Sequence, residues 1–75
     1  MDKNDKFTII LWKLRTEKGL SQINFANKAH INHTYYGRIE RGESSPTLKT
    51  IIKLVDALDI KLSEFMTLIE NTIEK

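Results

Sequence analysis

The segment Ser21 to Gly42, SQINFANKAHINHTYYGRIERG, decides the fold that the sequence predicts. Ser21 and Asn32 are both good helix N-cap residues, since their side-chain oxygens can accept hydrogen bonds from the free N–H groups of a first helical turn. An apolar residue precedes each cap and another lies four positions into each helix, as in a hydrophobic staple: Leu20 with Phe25, and Ile31 with Tyr36. The repeated signals predict two short helices joined by a turn.

The two helices are expected over residues 22–29 and 33–41. At about 100° per residue, Tyr36 and Ile39 of the second helix point inwards. The opposite face carries hydrogen-bond donors and positive charge, with no large apolar side chain: His33, Thr34, Gly37, Arg38 and Arg41. A helix face of this kind suits the major groove of DNA.

These residues resemble the Xre/Cro type of helix-turn-helix domain, which occurs in phage repressors and in the controller proteins of restriction-modification systems. The matching text is LRTEKGLSQINFANKA, followed by INHTYYGRIERGESSPTLKTIIKLVDALDI. The resemblance implies an all-α, lambda-repressor-like domain of five helices, with the helix-turn-helix proper at residues 21–42. Asn24, His30 and Tyr36 depart from the usual family pattern. His30 stands where the turn often has Gly, so we expect it to adopt a positive φ, which His tolerates better than most residues.

The resemblance also implies which residues contact DNA. It assigns base contacts to His33, Thr34 and Arg38, and the guanidinium of Arg38 can reach O6 and N7 of a guanine. Gln22 matches a phosphate-binding position at the start of the preceding helix, where free N–H groups favour an anion. Further candidates for phosphate contacts are Tyr35, Arg41, Ser45 and Lys49. The alternative for each of these side chains is an ordinary solvated surface residue.

A first helix is predicted over about residues 5–18, ending at Gly19, from four apolar residues at helical spacing: Phe7, Ile10, Leu11 and Leu14. Ile9 and Trp12 lie off this stripe, so they either fold over the edge of the core or form an exposed contact site. The resemblance implies a partly buried ion pair between Arg15 of this helix and Glu40. We expect that pair to be structural and not catalytic.

Two further helices are predicted after the turn-rich segment 43–46. Thr47 is expected to cap the first of them, with core positions Leu48, Ile51, Ile52, Val55 and Leu58. The second is expected over residues 62–73, with core positions Leu62, Phe65, Met66 and Ile69. Leu54, Leu68 and Ile73 remain outside these stripes, and we expect them at the centre of a homodimer interface.

Composition limits the other possibilities. The chain has 75 residues, so we expect residues 1–75 to form one domain. It contains no Cys, which excludes disulfides and thiolate zinc sites and is compatible with the cytoplasm, where we expect the protein. The longest apolar run near its start, Ile9 to Trp12, is too short for a signal peptide or a membrane span.

The charge is distributed unevenly along the chain. Residues 13–53 contain eight basic and three acidic residues, whereas residues 54–75 contain two basic and five acidic residues. A positive central part beside a negative C-terminal part is typical of a module that faces phosphate on one side. Solvated faces with an accidental asymmetry are the alternative.

No pattern in the sequence predicts an enzyme or a cofactor. His30 and His33 are three residues apart, but no third ligand at a sensible spacing accompanies them, so we expect no metal site. The predicted function is that of a repressor or controller protein that binds double-stranded DNA at an inverted repeat as a homodimer and blocks or contacts RNA polymerase. Two alternatives are an antitoxin that binds a toxin and a protein-interaction module that has lost DNA binding.

Overall fold

The computed structural model describes residues 3–72, and the side chains of residues 6–72 within them. This part of the chain contains five helices and no strand: α1 (Lys3–Glu17), α2 (Gln22–Lys28), α3 (His33–Glu40), α4 (Leu48–Ala57) and α5 (Leu62–Asn71). The all-α, five-helix prediction is confirmed. The observed helix ends lie within two residues of the predicted ones, which is the usual uncertainty of a helix boundary.

The predicted N-caps are all formed. In each, the side-chain oxygen of the cap accepts a hydrogen bond from the backbone N–H three residues later: Ser21 from Asn24 at 3.0 Å, Asn32 from Tyr35 at 3.0 Å, and Thr47 from Thr50 at 3.2 Å. A side-chain cap of this kind stabilises a helix by about 1 kcal/mol. The starts of α2, α3 and α4 are therefore determined locally.

The C-terminal ends of α1, α2 and α3 have the same backbone conformation. Gly19, His30 and Gly42 have φ values of 72°, 61° and 78°, so the positive φ expected for His30 is confirmed. The residue after each of them donates its N–H back to a carbonyl of the helix, as Leu20 does to the carbonyl of Arg15 at 3.2 Å. This is the Schellman arrangement, and it reverses the chain within two residues.

Leu20 and Ile31 each take part in two helix ends. Ile31 donates its N–H to the carbonyl of Ala26 at 2.9 Å, which closes α2, and it directly precedes Asn32, which caps α3. Both side chains are half-buried and pack against the core. The exit from one helix and the entry into the next therefore depend on the same residue.

The core lies between all five helices, with α1 against α3 and α5, α2 against α3 and α4, and α4 against α5. Two edge-to-face aromatic pairs join them. The ring centroids of Phe25 in α2 and Tyr36 in α3 are 5.1 Å apart, and those of Phe7 in α1 and Phe65 in α5 are 5.6 Å apart. Such pairs add about 0.5–1.5 kcal/mol each to the burial of the rings.

The predicted core stripe of α4 is partly wrong. Leu54, which we expected at a dimer interface, is 1% exposed and belongs to the core, whereas Leu48 is 65% exposed and Ile52 is exposed as well. The helix instead buries the stripe that contains Leu54, Val55 and Leu58, because α2 and α5 pack on that side. The apolar residues of α4 cover more of its circumference than its neighbours can cover.

Helix α5 differs from its prediction in a similar way. Phe65 is fully buried and Ile69 is half-buried, but Leu62 and Met66, two expected core positions, are exposed. None of the helices in the described residues is long and apolar enough to cross a membrane.

Candidate nucleic-acid interface

Helix α3 presents its predicted base-contacting residues to solvent. His33, Thr34 and Arg38 are all exposed, while Tyr36 and Ile39 on the other side are fully buried. Two residues of the first helical turn and one residue a turn later thus lie on the accessible side of a single helix. Their roles in base recognition stay predictions.

Gly37 is an exception to the predicted division of α3 into two faces. We expected it on the exposed face, but it is buried. The guanidinium of Arg41 lies over it, and a Cβ atom at this position would be 3.0 Å from Nη1 of Arg41. The exposed face of α3 is therefore partly covered by a side chain from its own C-terminal end.

A hydrogen-bonded network lies beneath α3 and centres on Glu40. Arg15 Nε donates to Glu40 Oε1 at 2.8 Å, and Arg15 Nη2 donates to Oε2 at 3.4 Å. The hydroxyl of Tyr36 also donates to Oε1, at 3.1 Å, and the side-chain amide of Gln22 donates to Oε2. Arg15 Nη1 donates to the carbonyl of Leu20 at 2.6 Å. The expected Arg15–Glu40 ion pair is thus present, and it joins α1, α2 and α3.

The network is shielded from water. The side chains of Arg15 and Glu40 are only 10% and 6% exposed. Burial works to lower the pKa of Arg15, but the hydrogen bond and the charge of Glu40 outweigh it and raise that pKa. Burial, followed by the nearby charge of Glu40, raises the pKa of Tyr36 well above its ordinary value. Arg15 therefore stays charged and Tyr36 stays protonated at any physiological pH.

Gln22 and Arg41, both predicted phosphate contacts, lie beside each other. They line a surface cavity of about 380 Å³, which the exposed Trp12 and Ile9 of α1 also line. The side-chain amide of Gln22 is bonded to Glu40, so its orientation depends on the buried network. A contact from the side chain of Gln22 to a phosphate would use the amide hydrogen that is not bonded to Glu40.

Arg41 forms an ion pair with Glu43 that the spacing of residues in the sequence does not predict. Its Nε donates to Glu43 Oε2 at 2.9 Å and its Nη2 donates to Oε1 at 3.2 Å. The two side chains are each 54% exposed. The hydrogen bond from Arg41 lowers the pKa of Glu43, and the charge of Arg38 lowers it further, so the carboxylate is ionised at neutral pH. The pair joins α3 to the loop after it, where helical spacing gives no guide.

The other predicted contact residues are dispersed. Tyr35 is half-buried on α3, Ser45 is exposed on the loop between α3 and α4, and Lys49 is exposed in the first turn of α4. Of the predicted dimer residues, Leu54 is in the core, Leu68 is 38% exposed on α5, and Ile73 lies outside the described residues.

Possible metal ligands do not cluster in the described part of the chain, where His, Asp and Glu form no group of three that could hold an ion.

The chain is similar to known proteins over most of its length. A family model described as helix-turn-helix matches residues 13–65. The control protein C.MunI from a Mycoplasma species is 43% identical over 61 residues, which cover 80% of this chain and 82% of that protein. The transcriptional regulator SutR of Escherichia coli is 35% identical over 57 residues, but the match covers 76% of this chain and only 32% of SutR.

Solved structures of a restriction-modification controller protein have the same fold. A point variant of C.Esp1396I superposes with a TM-score of 0.91 at 26% identity, and the match covers 99% of both chains. A chain from the tetramer of C.Esp1396I in complex with its natural 35 base-pair operator superposes with a TM-score of 0.88 at 25% identity, and the match covers 95% of this chain and 93% of that one.

Proposed function

Because the chain belongs to the helix-turn-helix family whose model it matches over residues 13–65, we propose that it is a sequence-specific DNA-binding transcription regulator. Its similarity to controller proteins along most of their length supports a repressor or controller protein. The observation that carries the proposal is the exposure of His33, Thr34 and Arg38 on one side of α3.

We assign direct base recognition to Arg38, and we expect its side chain to contribute most to the discrimination between bases. Its planar guanidinium can donate two hydrogen bonds to a guanine, and such a pair discriminates against a wrong base by about 1–3 kcal/mol. His33 and Thr34 lie at the N-terminus of α3, the end that enters the major groove in helix-turn-helix complexes. They would read neighbouring bases of the same half-site.

The phosphate contacts are assigned to the rim of this face. Gln22 and Arg41 line the same cavity, and Tyr35, Ser45 and Lys49 extend the rim through α3, the following loop and the start of α4. Contacts of this kind fix the register of the protein on the duplex and carry no sequence information themselves. The network around Glu40 supports them, since it holds Gln22 in place.

We assign the protein to a homodimer that binds an inverted repeat. The exposed apolar side chain of Leu68 on α5, 38% exposed, supports an interface there with Leu68 near its centre. Leu54 has no part in this assignment because it is buried within the domain. Two recognition helices related by a twofold axis enter successive major grooves about 34 Å apart, so the half-sites should be centred about 10 base pairs apart.

Occupancy of the operator is the proposed mechanism. A bound dimer blocks RNA polymerase, or contacts it from a site further upstream. The family consists of DNA-binding regulators, and we assign the chain no catalytic activity and place it in the cytoplasm with the DNA.

Selection of bound sequences from random duplex DNA tests this function. We expect enrichment of an inverted repeat with the predicted spacing, and binding of that repeat at least about a thousandfold tighter than random DNA at physiological salt. A protein that enriches no sequence and binds all duplexes alike would contradict the assignment.

A further inference from the structure

We propose that Glu43 competes with DNA for Arg41, and that it thereby sets how tightly the protein binds DNA of any sequence. The inference rests on the proposed function, because it takes Arg41 as a contact to phosphate. It assigns a role to an acidic residue that lies at the edge of a positively charged face.

The geometry of the Arg41–Glu43 ion pair supports this competition. Arg41 Nε and Nη2 donate to the two carboxylate oxygens of Glu43 at 2.9 and 3.2 Å. A phosphate group accepts the same bidentate pair of hydrogen bonds from a guanidinium. The edge of Arg41 that would bind a phosphate in this way is therefore already occupied by a carboxylate of the same chain.

The remaining edge of the guanidinium is turned towards the helix. Nη1 of Arg41 lies 3.0 Å from the point where a Cβ of Gly37 would be, and this residue is buried beneath it. Gly37 thus provides the space that lets Arg41 fold back over α3. Arg41 has to turn away from Glu43 before it can present two parallel N–H groups to the DNA.

The charge of Glu43 adds to this effect. The hydrogen bond from Arg41 lowers the pKa of Glu43, with a smaller contribution from the charge of Arg38, so the carboxylate faces two of the predicted DNA contacts as an anion. A pair of opposite charges has almost no net charge to release counterions from a phosphate. Both side chains are half exposed, so the pair can open without disturbing the core.

The proposal predicts an effect on the strength of binding and not on the choice of sequence. Release of Arg41 from Glu43 is required on every duplex, because phosphates are the same in all of them. Removal of the carboxylate should therefore strengthen binding to random DNA and to a selected site by the same factor.

The test measures binding to a fluorescent random-sequence duplex of about 30 base pairs, long enough for two half-sites. Glu43→Gln should bind it tighter than wild type by roughly two- to fivefold per protomer, the range expected for an exposed ion pair. The slope of the logarithm of affinity against that of salt concentration should steepen by about 0.9 per protomer.

Glu17→Gln is the matched control. It removes the same charge from an exposed glutamate of α1 that lies two residues after Arg15, hence about 200° around the helix from the side that faces Glu40. We expect its affinity and its salt slope to stay close to those of wild type. Thermal melting of both variants should match wild type, since neither side chain is in the core.

A double substitution decides whether Glu43 acts through Arg41. In an Arg41→Ala background, Glu43→Gln should bring no gain beyond that of Glu17→Gln. An equal gain with and without Arg41, or a Glu43→Gln variant that behaves like the control, would overturn the inference and leave the DNA-binding function intact. A wild type that binds no duplex at all would overturn the proposed function as well.

Discussion

Replacement of Arg15 by Ala is expected to destabilise the fold strongly. The substitution would leave the carboxylate of Glu40 buried, with 6% of its side chain exposed and its ionic partner gone. Removing one member of a buried ion pair costs about 3–5 kcal/mol, because the other charge stays without compensation. Tyr36 and Gln22 still donate to Glu40, so we expect the lower end of this range.

The expected loss is large for a domain of this size. Seventy-five residues correspond to a total stability of about 4–11 kcal/mol. One kcal/mol shifts the melting temperature of such a domain by about 4–8 °C, so a loss of about 3 kcal/mol should lower it by at least about 12 °C. Thermal unfolding followed by circular dichroism measures this shift directly.

Lys13→Ala is the control for charge. It removes one positive charge from the exposed side of the same helix and should lower the melting temperature by no more than about 4 °C. Replacing both Arg15 and Glu40 by apolar residues of similar volume should recover much of the lost stability, since no buried charge then remains. An Arg15→Ala variant that melts within a few degrees of wild type would refute the reasoning.

Three further predictions concern DNA binding, assembly and pH. Arg38→Ala should lose about 1–3 kcal/mol of discrimination at one or two base pairs of each half-site, whereas Gln22→Ala should weaken binding to all sequences alike in mobility-shift assays. Leu68→Glu should shift the protein from dimer to monomer in sedimentation experiments, because it places a charge in the proposed apolar interface. Stability should fall as the pH rises above 10, the ordinary pKa of Tyr, because the unfolded chain then releases the proton of Tyr36 that the folded chain retains.

Each of these predictions has a matched control. Lys53→Ala removes an exposed positive charge from α4 and should leave base preference unchanged, in contrast to Arg38→Ala. Leu48→Glu introduces the same charge at an exposed leucine of α4 and should leave the dimer intact; dissociation by both leucine variants or by neither would contradict the α5 interface. When the pH is raised above 10, the Tyr36→Phe variant should lose less stability than wild type. Equal losses in the two proteins would exclude Tyr36 as the cause.

The sequence predicts the local features of the fold well because they depend on neighbouring residues. The caps at Ser21, Asn32 and Thr47 each need one side-chain oxygen at the right offset, and the positive φ of His30 follows from its place in the turn. The Arg15–Glu40 pair is a longer-range feature, and it came from the resemblance to a family and not from any spacing.

The errors arise where the outcome depends on packing. Helix α4 carries apolar residues around much of its circumference, so the burial of Leu54 and the exposure of Leu48 are decided by where α2 and α5 lie against it. A helical wheel placed Gly37 on the exposed face and could not show that Arg41 folds back over it. The partnership of Arg41 with Glu43 crosses a helix end, where periodicity no longer applies. The DNA contacts themselves remain predictions.

The double role of Leu20 and Ile31 affects how the domain folds. Each residue closes one helix while it positions the next, so α2 cannot fray at its C-terminus without loosening the start of α3. The contacts concerned span few residues, and contacts between residues close in the chain form quickly. We therefore expect α2, the turn and α3 to open and close as one cooperative unit. Helix α3 would then be either fully folded or unfolded together with α2. No state is expected in which α3 is detached while the rest of the domain stays folded.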